Sequence, residues 1–578
     1  MKNNIRRFLA AVLALLCALT ALSIAASAAS VKYDVDYPVV YVSGKFTYIY
    51  DKDFDPDIHP GKAAYTDPNI RAHQLYPLTT SLGDIFNDKK VQSQIVLAYN
   101  ASNLTGNWKI FADKLYEIIE PVYRELRLDG NGNITNGSHV QNLVKPKAHM
   151  GDYGIQEFQF TYDSRLDPYE NVEKLNNYID EVIRVTGKSK VNLIGRCLGT
   201  TLVSTYLTKY GCGKVETAIF YASAFNGVQE MDDFFTNNIY FDPARIEYYI
   251  NHQSDVDNDG YYLINSGWTA LKSLGFTGLG VQTANDVWRK TAPYLMARLV
   301  RATYGTWPGH WAMISSGAYE KAKEYVFGDC KEEYAGMIKK LDKYQKEVMS
   351  VWPQTLKRLV EKDGLRIAIF AKYNSPLMPL SKMSGQQADG TVELRTMSLG
   401  ADSAPIGTTF TSEQLREKRA QGKGQYLSAD DMVDASTCLF PDYTWFLKDV
   451  PHNVYPKTIN RLFMTILHSK TQVTVWNNKI TQEDSSETIH VPQFVSGKST
   501  GVKDADGNEE YFIYKIIGKD PATDQLIVDN GKDLEGVIPP DPAEVQQKKV
   551  TQKKNMFQAF AEKVIEFIGK IMNLFNIR

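Results

Sequence analysis

Cysteine is scarce in this 578-residue chain: there are five, with no C-x-x-C pair among them, which excludes a small disulfide-framed scaffold and the usual opening of a structural zinc site. Charge of one sign is lacking too. Lys+Arg 65 against Asp+Glu 67 leave a formal net charge of -2, so no long-range field favours a nucleic acid partner. No G-x-x-x-x-G-K-[ST] loop and no strand-linked G-x-G-x-x-G occurs, and with them goes any reason to expect a nucleotide; no cofactor is expected at all. Beyond the first thirty residues no apolar run is long enough to span a bilayer. What remains, 43% hydrophobic and 23% charged, is ordinary globular composition on a length suited to two or more structural units.

The ends of the chain speak first. Lys2, Arg6 and Arg7 precede an apolar stretch from Phe8, and Ala26-Ser27-Ala28 offers a small-residue cleavage site, so residues 1–29 read as an export signal and the mature chain is expected outside the cell or at its surface. An uncleaved anchor is the other reading. Cys17 follows Leu16 where a lipoprotein signal wants a small residue, which argues against lipid attachment. At the far end, residues 551–578 place Phe557, Phe560, Val564, Phe567, Ile571 and Leu574 on one helical stripe behind Lys548, Lys549, Lys553 and Lys554. A basic amphipathic helix of this kind suits an anionic surface, a partner, or docking on its own domain. Residues 519–550, polar and carrying Pro539, Pro540 and Pro542, read as the linker before it.

Between the ends, short apolar runs alternate with helical patterns. Tyr37 to Gly44, Ile155 to Tyr162, Lys190 to Ile194, Val215 to Ala222, Leu365 to Ala371 and Tyr443 to Leu447 read as buried strands, and Val172 to Val185 as an amphipathic helix between two of them. That alternation predicts an α/β fold, a mostly parallel sheet covered by helices on both faces, with core segments at 30–227 and 361–480. Residues 228–360 interrupt it with recurring aromatics (Phe234 and Phe235, Tyr240 and Phe241, Trp307 and Trp311) and are expected to form a helical cap over an apolar cleft. Residues 481–518, with β-like runs such as Tyr511 to Ile517, are expected as a β-rich extension after the sheet has ended.

The sharpest chemical signal is G-R-C-L-G, Gly195 to Gly199, between the strand K-V-N-L-I and the helical T-T-L-V-S-T-Y-L. Glycines two residues either side of a nucleophile, at a strand-to-helix turn, form a nucleophile elbow, whose crowded backbone excludes larger neighbours. Here the nucleophile is Cys197. A helix N-terminus and a nearby imidazole would lower its pKa; a buried inert thiol, or a silent replacement of serine, is the alternative. A second match, G-K-S-T-G at Gly497 to Gly501, is read as a chance one in a polar loop.

The segments Phe160 to Leu175 and V-N-L-I-G-R-C-L-G-T-T-L resemble the stretch around the elbow in α/β-hydrolase lipases and lecithin:cholesterol acyltransferase-like enzymes, which usually read G-H-S-x-G. The opening Y-P-V-V-Y-V-S-G-K-F is similar to their third strand and oxyanion loop. In its cysteine the elbow resembles polyhydroxyalkanoate synthases and dienelactone hydrolases. The resemblance implies the α/β-hydrolase fold and cleavage of carboxylic esters or thioesters, of lipid or other acyl substrates, through an acyl-enzyme. Carried over residue by residue, His452 after the strand Y-T-W-F-L-K becomes the general base, with His310 its rival, and Leu198 with Lys45 or Phe46 the oxyanion donors. Asp430, shortly before His452, is expected to orient the imidazole, as in bacterial lipases. Asp389, opening D-G-T-V, matches the acyltransferase-like group more literally but lies far upstream; Asp431 is a third option. A fold of this kind that only binds lipid, glycan or protein, and a polyester synthase-like acyltransferase, are the alternative functions.

One weak metal signal remains. Asp255, Asp257 and Asp259 precede Gly260 as in a calcium loop, but Ser266 stands where a closing Glu belongs, so a solvated turn is the preferred reading.

Overall fold

The computed structural model describes residues 36–44, 48–54, 68–76, 85–86, 88–140, 146, 148–150, 156–252, 277–456, 459–481, 488–503, 509–519 and 526–528. Contacts divide the chain after Asp36, and all that follows concerns the unit from Tyr37 onward. The export signal, most of the linker and the basic helix at 551–578 lie outside the described residues, as do Asp255, Asp257 and Asp259. Among the described residues no helix is long and apolar enough to cross a membrane.

The centre is one sheet. In chain order its strands are β1 (Val39–Val42), β2 (Ala148–Met150), β3 (Gln156–Phe160), β4 (Val191–Arg196), β5 (Val215–Tyr221), β6 (Arg366–Tyr373), β7 (Thr444–Lys448), β8 (Phe494–Lys503), β9 (Glu509–Lys519) and β10 (Leu526–Val528). Their spatial order is β10-β9-β8-β7-β6-β5-β4-β1-β3-β2. The 7 strands from β8 to β3 run parallel, while β9, β10 and β2 add antiparallel edges. With helices on both faces this is an α/β fold.

Alternating side chains serve opposite faces. Phe220 and Ile369 join a core with α3 (Pro168–Thr186), α4 (Gly199–Tyr210) and α10 (Trp352–Glu361), which contribute Leu175, Ile179, Leu202, Tyr206, Trp352 and Leu356. Their neighbours Tyr221 and Phe370 face the other way, against Phe463 of α11 (Asn460–His468). Local chemistry sets α3. Asp167 caps its start by accepting from Tyr169 N at 3.0 Å, Pro168 occupies the first turn where its missing N–H costs nothing, and Gly187 at φ 67 ends it.

Two expectations need correction. The extension at 481–518 is not outside the sheet: β8 pairs in parallel with β7, through Phe446, Leu447 and Lys448, and so continues it. G-K-S-T-G therefore lies within a strand, not a polar loop. The insert between β5 and β6 is helical, with α5 (Gln229–Phe235), α6 (Pro243–His252), α7 (Thr277–Ala302), α8 (Tyr319–Phe327) and α9 (Ala335–Glu347) preceding α10. Several of its aromatics are taken up by packing. Phe235, Trp311, Tyr319 and Phe327 form a core of their own together with Ala112 of α2 (Lys109–Tyr123), and Trp307 joins another. The hairpin of α1 (Lys89–Thr105) and α2 was not foreseen.

Candidate functional site

Each of four neighbouring strands ends in the same way. Cys197 after β4, Ala222 after β5, Asn374 after β6 and Asp449 after β7 have φ of 49, 50, 70 and 58, the left-handed region that costs a non-glycine residue free energy. At Cys197 the turn is held by Cys197 N donating to Tyr221 O at 3.1 Å, and by the N–H and hydroxyl of Thr200 donating to Cys197 O at 2.9 and 2.5 Å. The surroundings leave no room for larger residues. A Cβ on Gly44 would lie 2.2 Å from Arg196 O and 2.4 Å from Cys197 Cβ, and one on Gly199 2.1 Å from Val42 O. On Gly195 it would press on Val203 and Thr200 at 3.0 and 3.3 Å.

The half-buried Cys197 thiol and the His452 side chain act on each other electrostatically. His452 Nδ1 in turn lies 2.7 Å from Asp389 Oδ2, and the main chains lock the pair: His452 N donates to Asp389 O at 2.7 Å. Asp389 is fully buried, yet its Oδ1 accepts from Thr391 N and Val392 N at 3.1 and 2.8 Å. Burial alone would raise this carboxyl; His452, Lys372 and the Val392 N–H outweigh it and hold it below the usual carboxylate range. Nδ1 must then be the donor, which leaves the other ring nitrogen for sulfur. Burial likewise opposes the charged forms of Cys197 and His452, but each favours the other: the thiol falls below its ordinary value through His452, the Leu198 N–H and Arg196, and the imidazole rises through Asp389 and Cys197. The arrangement favours a thiolate beside an imidazolium.

Asp430, expected beside the imidazole, is elsewhere. Its Oδ2 accepts from Lys448 Nζ at 2.9 Å and from Tyr373 OH at 3.1 Å, so the short chain spacing to His452 misled. Asp431, at φ 59, faces Arg419 at 3.7 Å. His310 is buried with its ring stacked on Tyr304, 5.1 Å between centroids, and burial depresses it to about 3, so it is no rival base. The Leu198 N–H helps to lower the Cys197 thiol, while Lys45 and Phe46 fall outside the described residues. Within the insert a cavity of about 670 Å³ lies between Asn237–Pro243 and α7, lined by Tyr240, Trp288 and Arg289; neither Cys197 nor His452 lines it. Sequence reasoning missed Lys372 and Arg196, both buried and both donating to the His452 carbonyl; a lysine within the otherwise apolar strand R-I-A-I-F-A-K-Y was the available signal. No family model matches this chain, and no curated protein does.

Proposed function

We propose that the protein is an exported cysteine-dependent hydrolase or acyltransferase of the α/β-hydrolase kind, acting on carboxylic esters or thioesters. The observation that carries this reading is the Cys197–His452–Asp389 line at a left-handed strand-to-helix turn. The elbow resemblance supports it, and a thiol is a competent nucleophile in that position.

The chemistry follows the geometry. His452 takes the Cys197 proton, and sulfur forms a bond to the carbonyl carbon; the tetrahedral oxyanion faces N–H groups at the start of α4. Collapse breaks the bond from carbon to the leaving oxygen or sulfur, which receives the proton from His452, and a thioester remains on Cys197. Water or an alcohol, deprotonated by His452, then attacks the thioester, and the thiol regains its proton. The substrate is an acyl compound, and the basic, amphipathic sequence at 551–578 suits a lipid or cell surface as the place of work.

Incubating the protein with a p-nitrophenyl ester, quenching in acid and mapping peptides by mass spectrometry tests this. The expected result is an acyl adduct on Cys197, lost with hydroxylamine and absent in Cys197→Ala. No adduct, together with iodoacetamide labelling of Cys197 no faster than of Cys212 or Cys330, leaves a silent binding fold instead.

A further inference from the structure

The loop carrying His452 has no regular structure, yet the carbonyl of buried His452 and the part-buried carbonyls of Pro451 and Val454 need donors. Three neighbouring strands supply them. Arg196, the last residue of β4, donates from Nη2 to His452 O at 3.2 Å; Tyr221, the last of β5, from its hydroxyl to Val454 O at 3.2 Å. Lys372, near the end of β6, donates from Nζ to Pro451 O at 2.9 Å, His452 O at 3.0 Å and Val454 O at 2.8 Å. An ammonium has three N–H groups, and all three go to this one loop. Its charge also lies 4.5 Å from the Tyr221 ring centroid and acts on Asp389 without bonding to it.

A fully buried lysine is expensive to keep, since desolvation disfavours its charge. We propose that Lys372 is a positioning residue for the reacting pair: it clamps the main chain at Pro451, His452 and Val454 so that the imidazole meets both Asp389 and Cys197. The proposal rests on the reading of Cys197 as the nucleophile and extends it to a group that touches neither substrate nor sulfur. Because Lys372 positions through His452, the larger part of its effect must be lost when the imidazole is gone, leaving only the direct action of its charge on Cys197.

That dependence is the test. In the full chain at neutral pH, the rate of Cys197 alkylation by iodoacetamide is followed by mass spectrometry in wild type, Lys372→Met, His452→Ala and the double variant. Lys372→Met is expected to slow alkylation by about tenfold or more, as misplacement of a reacting group does. In the His452→Ala background the same change is expected to slow it far less. Lys372→Gln, which keeps two of the three donors, should fall between wild type and Lys372→Met. A wild-type rate in folded Lys372→Met overturns the proposal, and so does an equal slowing with and without His452, which would mean that Lys372 shapes the elbow instead. Unfolding of both the Met and Gln variants makes Lys372 a core residue and overturns it too. If wild-type Cys197 is labelled no faster than Cys212 or Cys330, the nucleophile reading itself fails, an outcome visible before any change at Lys372.

Discussion

Two buried aspartates lie near the ends of β6 and β7, each near a buried lysine, and only one reaches an imidazole. Asp430 is taken directly by Lys448, at 2.9 Å, and by the Tyr373 hydroxyl; its charge is neutralised and its outer oxygen occupied. Asp389 has a lysine nearby as well, but Lys372 spends its hydrogens on the loop carbonyls of Pro451, His452 and Val454. One carboxylate oxygen of Asp389 is thereby left for His452. The lesson is that the fate of a buried acid follows from where the neighbouring cation points, and position along the chain says little about it.

The largest expected effect would break this comparison outright. Asp389→Asn should reduce Cys197-dependent ester turnover by about 10³- to 10⁴-fold, since the imidazole loses its orienting charge, and Asp430→Asn should leave it within a few-fold. Turnover measured for the two variants side by side decides it, and the reverse outcome would restore Asp430. Next in size is a stability effect confined to the other pair. Lys448→Met strands the Asp430 carboxylate in the core and should cost about 3–5 kcal/mol in urea unfolding, whereas replacing Asp430 and Lys448 together by apolar residues should cost less. Equal losses for the single and double variants would mean that the pair is not coupled.

A smaller effect concerns the carboxyls behind the site. Burial raises Glu393 to about 8, although its carboxylate accepts from Gln229 N at 2.8 Å. The folded chain therefore holds this proton more tightly than the unfolded chain. Its stabilising contribution is full below the ordinary value of 4.5 and is lost as pH rises through about 8. Glu393→Gln should accordingly raise stability by about 1 kcal/mol or more at alkaline pH and hardly at all near pH 4, read from urea midpoints at the two pH values. A pH-independent gain would point to packing. Smallest of all is His310→Phe, expected to change Cys197 alkylation less than twofold, because a ring held neutral among Tyr304 and Trp307 takes no part.

Much of the frame could be read from the chain. The runs around Val39–Val42, Val191–Arg196, Val215–Tyr221 and Arg366–Tyr373 are apolar enough to announce parallel strands, and paired glycines around Cys197 announce the turn. β8 escaped because its run contains Ser496, Gly497, Lys498 and Ser499, polar residues that a strand near the edge of a sheet tolerates. Asp389 lost to Asp430 in the reading because proximity in sequence stood in for proximity in space; the bond between His452 N and Asp389 O crosses a long excursion that no periodicity reveals. The role of Lys372 went unread for a related reason: it depends on what the neighbouring loop brings against it.

The span of those contacts sets an order in time. Arg196 and the carbonyl it holds are 256 residues apart, and Asp389 and His452 another 63. During synthesis the thiol is made long before its base, and contacts of such sequence separation close late in folding. Until residues 451–454 dock on β4, β5 and β6, Cys197 is an ordinary thiol with no imidazole beside it. Nucleophilic strength thus arrives last, as a property of the finished molecule, and the onset of fast alkylation during refolding would serve as a clock for the final docking step.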